Sequence, residues 1–155
     1  FEPKKVYRAI KQEVPEKEYL IPIGKAKIVK EGSDVTLITY GATVKTAYEA
    51  VQHISNINVE IIDLRSLKPM DTETIINSVK KTGKVVIVHE AQKTLGVAAE
   101  IIARINEKAF YSLEAPIERV TGYDIIVPLP KHEDYYFVNE QRIINAVEKV
   151  MKEAG

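Results

Sequence analysis

Val85-Val86-Ile87-Val88-His89-Glu90 places four consecutive β-branched apolar residues directly ahead of a histidine and a carboxylate. A short, unbroken apolar run with polar residues at both ends suits a strand buried on both faces, as in a parallel sheet. Upstream, Gly83 ends a stretch in which Ile75, Ile76 and Val79 recur at helical spacing. Asp71, just after Pro69, reads as its N-cap. Val59-Glu60-Ile61-Ile62-Asp63 is a second strand. Val35-Thr36-Leu37-Ile38-Thr39-Tyr40 is a third, entered from the Gly-Ser-Asp turn at 32–34 and ending at Gly41. Between those two strands Val44, Ala47, Tyr48, Val51 and Ile54 mark a helix. Downstream, Val97 to Phe110 is helical, with Ile101, Ile102 and Ile105 on its face. Ile117 to Thr121 is a short strand, 122–137 is rich in turns, and a last helix runs from about Asn139 to Met151.

Strands alternating with helices predict an α/β domain with a mostly parallel sheet and helices on both faces. The chain has 155 residues, 45% hydrophobic and 28% charged, which is ordinary for one globular domain with a single core. Residues 1–22 differ. Pro3, Pro15 and Pro22 lie among alternating charges, so 1–22 reads as a linker or arm and 23–155 as the domain.

Lys plus Arg and Asp plus Glu each number 22. Zero formal net charge argues against nucleic-acid binding by bulk electrostatics. With no cysteine there is no disulfide, thiolate nucleophile or thiolate metal site. The lack of cysteine suits a cytoplasmic protein, and no apolar run is long enough to span a bilayer.

The common catalytic signatures are missing. No serine stands in a Gly-x-Ser-x-Gly elbow, and His53, His89 and His132 are too far apart for a paired metal motif. The glycines are isolated, so a dinucleotide loop is not expected. Gly41 leaves a helix N-terminus where an anion could bind, although a plain tight turn is the commoner meaning. His53 and His132 read as surface residues. His89-Glu90 and Asp63-Leu64-Arg65 fall at strand ends, where open α/β sheets gather their ligands. Arg119, inside a predicted strand, needs a partner if buried, and Glu90 or Asp63 could supply it. For Asp63, Arg65, His89, Glu90 and Arg119 a structural or interface ion pair is the expectation, ahead of a substrate clamp.

Several motifs together resemble one family. Ile23-Gly24-Lys25-Ala26, Glu31-Gly32-Ser33-Asp34-Val35-Thr36, Asp63-Leu64-Arg65 through Pro69-Met70-Asp71, and Ser78-Val79-Lys80-Lys81-Thr82-Gly83 occur in family order. His89-Glu90-Ala91, Leu113-Glu114-Ala115-Pro116 and Arg119-Val120-Thr121-Gly122-Tyr123-Asp124 follow. They resemble the C-terminal, transketolase-type domain of 2-oxoacid dehydrogenase beta subunits, of pyruvate or branched-chain type. Phe1-Glu2-Pro3-Lys4 with Tyr7-Arg8 is similar to the segment that joins this domain to the catalytic one. One departure is Leu95-Gly96, where many relatives carry Gly-Gly.

The resemblance implies a three-layer α/β/α fold on a five-stranded sheet with one antiparallel strand. It also implies an enzyme of alpha and beta subunits, usually a heterotetramer with a second beta subunit, that binds thiamine diphosphate and magnesium at alpha–beta interfaces. That enzyme decarboxylates a 2-oxoacid and passes the acyl group to lipoyl. The family's cofactor lies against the N-terminal beta domain, so no catalytic, cofactor or metal residue is expected in this chain, and the isolated domain is expected to be inactive. The remaining expectation is docking of the peripheral-subunit-binding module of the acyltransferase component, with Glu114 as a contact. Two other readings stay open: the C-terminal domain of another transketolase-type enzyme, and a free-standing small-ligand-binding α/β module.

Overall fold

The computed structural model describes residues 3–11, 13–129 and 131–154. Phe1, Glu2 and Gln12 of the expected arm, and Pro130 of the turn-rich stretch, lie outside them. The strands are β1 (Lys27–Lys30), β2 (Val35–Thr39), β3 (Val59–Asp63), β4 (Val85–Gln92) and β5 (Glu118–Gly122). The helices are α1 (Thr43–Gln52), α2 (Thr72–Thr82), α3 (Val97–Ala109), the single turn α4 (Glu133–Tyr136) and α5 (Glu140–Glu153). The sheet order is β1-β3-β2-β4-β5, with β1 antiparallel to β3 and every other pairing parallel.

Strand alternation splits the core into two layers. Val35 and Leu37 of β2, Val59 and Ile61 of β3, and Val86 and Val88 of β4 face α1 and α5. Ile38, Ile62, Val85 and Ile87 face α2 and α3. This is the three-layer α/β/α architecture. β2 and β4 are covered on both faces, and for that reason their sequences read as continuous apolar runs.

One buried cluster on the α2 face is polar. Thr36 of β2 meets Ser78 and Thr82 of α2 at 2.6 and 2.7 Å, and Ser78 hydrogen-bonds the Glu60 carboxylate, which Lys81 also grips. Burial alone would push the Glu60 carboxyl up. The hydrogen bonds from Lys81 and Ser78 outweigh it and hold the group below its ordinary value.

Two expectations about elements need correcting. β4 continues through Gln92, so His89 and Glu90 lie within the strand instead of after it. Part of the turn-rich stretch is the helix α4. The residue pattern alone also did not reveal β1, whose four residues Lys-Ile-Val-Lys form a half-exposed edge.

Candidate functional site

The carboxyl ends of the central strands form the first candidate site. β2 leads into α1 on one face and β4 leads into α3 on the other, so neighbouring chains part company between β2 and β4. Such a switch point opens a crevice beyond the strand ends. Here the crevice is a cleft of about 800 Å³. Its walls are Tyr40 to Ala42 after β2, Arg65 to Lys68 after β3, Glu90 and Ala91 of β4, and Pro3 from the amino-terminal segment.

Local chemistry fixes these walls. Thr43 donates to the Tyr40 carbonyl at 2.8 Å and lies 2.7 Å from the Thr39 hydroxyl, which tightens the turn into α1. Gly41 takes φ +65°, and a Cβ there would meet nothing within 4 Å, so the position borders open space. After β3 the Leu64 amide donates to the Thr39 carbonyl at 2.9 Å. Arg65 adopts φ 55°, a left-handed conformation uncommon for a long side chain. Its amide donates to the Asp63 carboxylate at 3.0 Å, while Ser66 Oγ accepts from the Gly24 amide at 3.0 Å. Burial pushes the Asp63 carboxyl up, against the Arg65 amide and the charges of Arg65 and Lys27. Burial, helped by Glu90, also raises Tyr40, which is therefore a neutral phenol able to donate.

His89 is fully buried on the α2–α3 face, with its ring centroid 6.3 Å from that of Tyr40. Its Nε2 accepts from the Ala98 amide at 3.4 Å, capping the start of α3, so the neutral ring carries its proton on Nδ1. No hydrogen bond of good geometry reaches Nδ1 among the described residues. Burial lowers the pKa and the Arg119 charge adds to it, while the Ala91 backbone pulls the other way. Gly96 packs so closely that a Cβ there would lie 2.7 Å from the imidazole Cε1. Leu95 beside it has φ 58° and is 96% exposed. That backbone favours glycine, so Leu95 holds it at a cost.

Within this chain, the expected ion pairs are absent among the described residues. None of the ion pairs among the described residues involves Asp63, Arg65, His89, Glu90 or Arg119. Arg119 lies half-buried at the β5 edge and donates to the Lys93 carbonyl at 3.3 Å, so neither Glu90 nor Asp63 is its partner. The Gly-Tyr-Asp motif has a structural task that residue reading missed. Asp124 accepts from the Thr94 amide at 2.9 Å and its hydroxyl at 2.7 Å, tying the β4–α3 loop to the loop after β5. Arg142 of α5 stacks 4.7 Å from the Tyr123 ring centroid and donates to the Thr121 carbonyl.

Glu114 lies elsewhere, at the amino end of the sheet. Its amide donates to the Gly83 carbonyl at 2.8 Å, and its half-exposed carboxylate pairs with Lys84. It borders a trough of about 590 Å³ lined by Ile102, Phe110, Tyr111, Leu113, Pro116 and Ile117 with Asn106 and Ala115. Tyr111 is 99% exposed there. Among the described residues no group of three or more His, Asp or Glu could hold a metal ion.

Comparison with known proteins adds the following. The family described as transketolase, C-terminal domain, matches residues 24–143. Pyruvate dehydrogenase E1 component subunit beta of Acholeplasma laidlawii is 52% identical over 153 residues, covering 97% of this chain and 47% of that protein. The mitochondrial 2-oxoisovalerate dehydrogenase subunit beta of Dictyostelium discoideum is 49% identical over 154 residues, covering 97% of this chain and 41% of its own. The chain thus spans about half the length of the curated relatives it matches. A solved structure, "Split gene transketolase, inactive beta4 tetramer", aligns with a TM-score of 0.76 over 93% of this chain and 47% of that one. At 24% identity it is a likeness of fold.

Proposed function

Because the chain belongs to the transketolase C-terminal domain family, we propose that it is the assembly and docking domain of a 2-oxoacid dehydrogenase beta subunit, with 1–22 as the arm from the preceding domain. The observation that carries this reading is the likeness to both pyruvate and branched-chain beta subunits over 97% of the chain. In this reading the whole enzyme, an assembly of alpha and beta subunits using thiamine diphosphate and magnesium, decarboxylates a 2-oxoacid and passes the acyl group to lipoyl. The cofactor supplies the carbanion chemistry when bound. The chain's own share is to present surfaces.

The surface best suited to a partner is the apolar trough with Glu114 at its rim. Exposed rings give contact area at small entropic cost, and a carboxylate held by Lys84 is pre-positioned for a cationic partner. The partner's cation has to share that carboxylate with Lys84, so the contact sets on-rate and salt dependence more than raw affinity. The test is calorimetric titration of the assembled alpha–beta enzyme with the peripheral-subunit-binding module of its acyltransferase, at low and high salt. Glu114→Lys is expected to weaken binding about tenfold, a cost of about 1.4 kcal/mol, and to flatten the salt dependence. Unchanged affinity in the variant removes Glu114 from the interface, and no binding by the native assembly removes the docking role.

A further inference from the structure

His89 holds the start of α3 in a way that works only while its ring is neutral. The ring is fully buried, and its Nε2 accepts from the Ala98 amide at 3.4 Å. Its proton is then on Nδ1, which finds no hydrogen-bond partner among the described residues. A second proton would turn Nε2 into a donor facing another donor. It would also set a cation at the positive end of the α3 dipole. The surroundings offer no compensation. Tyr40, after β2, stacks on the ring and stays neutral because burial raises its pKa. Arg119 of β5 is the one charge among the described residues that acts on the ring, and it repels a second one. α3 presents the Gly96 backbone and the Ala98 amide, neither of which titrates. Glu90 follows in β4, but strand alternation sends its side chain to the opposite face, and none of the ion pairs among the described residues involves His89.

The ring has no room to turn away. A Cβ on Gly96 would already lie 2.7 Å from its Cε1, and β4 is fixed between β2 and β5. The loop over it can yield. Gln92 to Leu95 are exposed, and Leu95 sits at φ 58°. Side-chain ties at the surface hold the loop, Thr94 to Asp124 and the Lys93 carbonyl to Arg119. We propose that His89 is a proton-operated latch, whose protonation releases the β4–α3 loop and the first turn of α3 from the sheet. Thr94 holds Asp124, so the loop after β5, with its bare Ile126 and Leu129, loses an anchor in the same step, and acid changes the surface offered to partners. The released ring has the ordinary pKa of 6.5 and the latched one a lower value, so the latch is closed at neutral pH and opens as pH falls below 6.5. The Thr94 bonds hold the Asp124 carboxyl below its usual range, so that tie stays ionised across this window and is not the group that responds.

The test is residue-resolved amide hydrogen exchange on this chain between pH 7 and pH 5, corrected for the intrinsic pH dependence of exchange, with and without about 1 M urea. The Ala98 amide should exchange through a local opening, nearly insensitive to urea, while the Leu37 and Ile38 amides of β2 respond to urea as global unfolding does. Below pH 6.5 the protection of Ala98 should fall by up to about tenfold per pH unit, the most that one proton can supply. The fall should level off at the pH where the Cε1 proton of His89 shows the latched ring taking up its proton. His89→Gln keeps an acceptor for Ala98 and should hold its protection flat with pH. If that variant folds poorly, the urea response and the ring titration of the native chain decide by themselves. An Ala98 amide that tracks β2 in urea overturns the proposal. So does protection that ignores pH, a ring that titrates at 6.5 or above, or an equal pH response in His89→Gln.

Discussion

At the scale of single residues, His89 is the most exposed to test because it is the most deeply buried titratable group. Its folded-state pKa lies below the ordinary 6.5. As pH falls from 6.5 the unfolded chain therefore takes the proton first, and stability drops until the lowered folded value is reached. Above 6.5 both states are neutral and His89 adds no slope. Melting temperature should fall between pH 6.5 and 5 in the native chain, with one proton accounting for up to about 1.4 kcal/mol per pH unit. His89→Gln, which keeps an acceptor, should lose that part of the slope. Parallel curves for the two proteins would show that His89 does not titrate as a buried neutral ring. Position is what sequence made legible here. Asp63 and Arg65 stand at the end of β3, as their neighbours in the chain suggest, whereas His89 and Glu90 sit inside the longer β4. Pairing was not legible: Arg119 turns to a backbone carbonyl and Glu114 to Lys84, thirty residues away in sequence. Tyr40, Ser66 and Lys68 join the cleft only through the order of the strands, which no local motif encodes.

At the scale of elements, α2 shows how a polar knot can fix a helix on a sheet. Asp71 caps it, accepting from the Thr74 amide at 3.2 Å and hydroxyl at 2.9 Å, and also accepts from the Ala26 amide ahead of β1. Burial would raise the Asp71 carboxyl, but these bonds hold it below its usual value. At the other end of α2, Lys81 is, among the described residues, the one cation paired with the fully buried Glu60. Lys81→Met leaves that carboxylate with the Ser78 bond alone. It should cost roughly 1–3 kcal/mol in urea unfolding, the penalty for an unsatisfied buried group, and the loss should shrink in a Glu60→Gln background. Additive losses in that double-mutant cycle would mean the two residues do not couple. The cap at Asp71 and the stop at Gly83 were legible because capping chemistry is local. The strands β2, β3 and β4 were legible because burial on both faces leaves apolar runs. β1 was not: four residues with lysine at both ends and Ile28 partly exposed carry no period to read. α4 was hidden because a single turn is shorter than any periodicity. The knot was hidden because Thr36, Glu60 and Ser78 are adjacent only across the sheet.

At the scale of the whole molecule, several large apolar side chains are bare. Ile126 is 93% exposed and Leu129 83% in the loop after β5, and Leu20 and Ile23 are similarly bare ahead of β1. Side chains this apolar, close together in sequence, mark surfaces that other chains cover. The β1 edge of the sheet is guarded. β1 is short, carries Lys27 and Lys30, and breaks register between Ile28 and Lys30; such an edge resists strand-to-strand pairing. With 22 charges of each sign, no net repulsion keeps copies apart. The loops should therefore drive association, not that edge. Sedimentation velocity of this chain alone should show concentration-dependent self-association. Ile126→Asp with Leu129→Asp should restore the monomer while leaving the melting temperature nearly unchanged, since exposed substitutions shift stability by about 0.5 kcal/mol or less. Adding a partner subunit that buries the same loop should compete with self-association in the native chain. A native chain that stays monomeric at every concentration reached, or variants that associate as strongly, would place the covered surface elsewhere. A monomer would also favour a free-standing ligand-binding domain over one built to be packed between others.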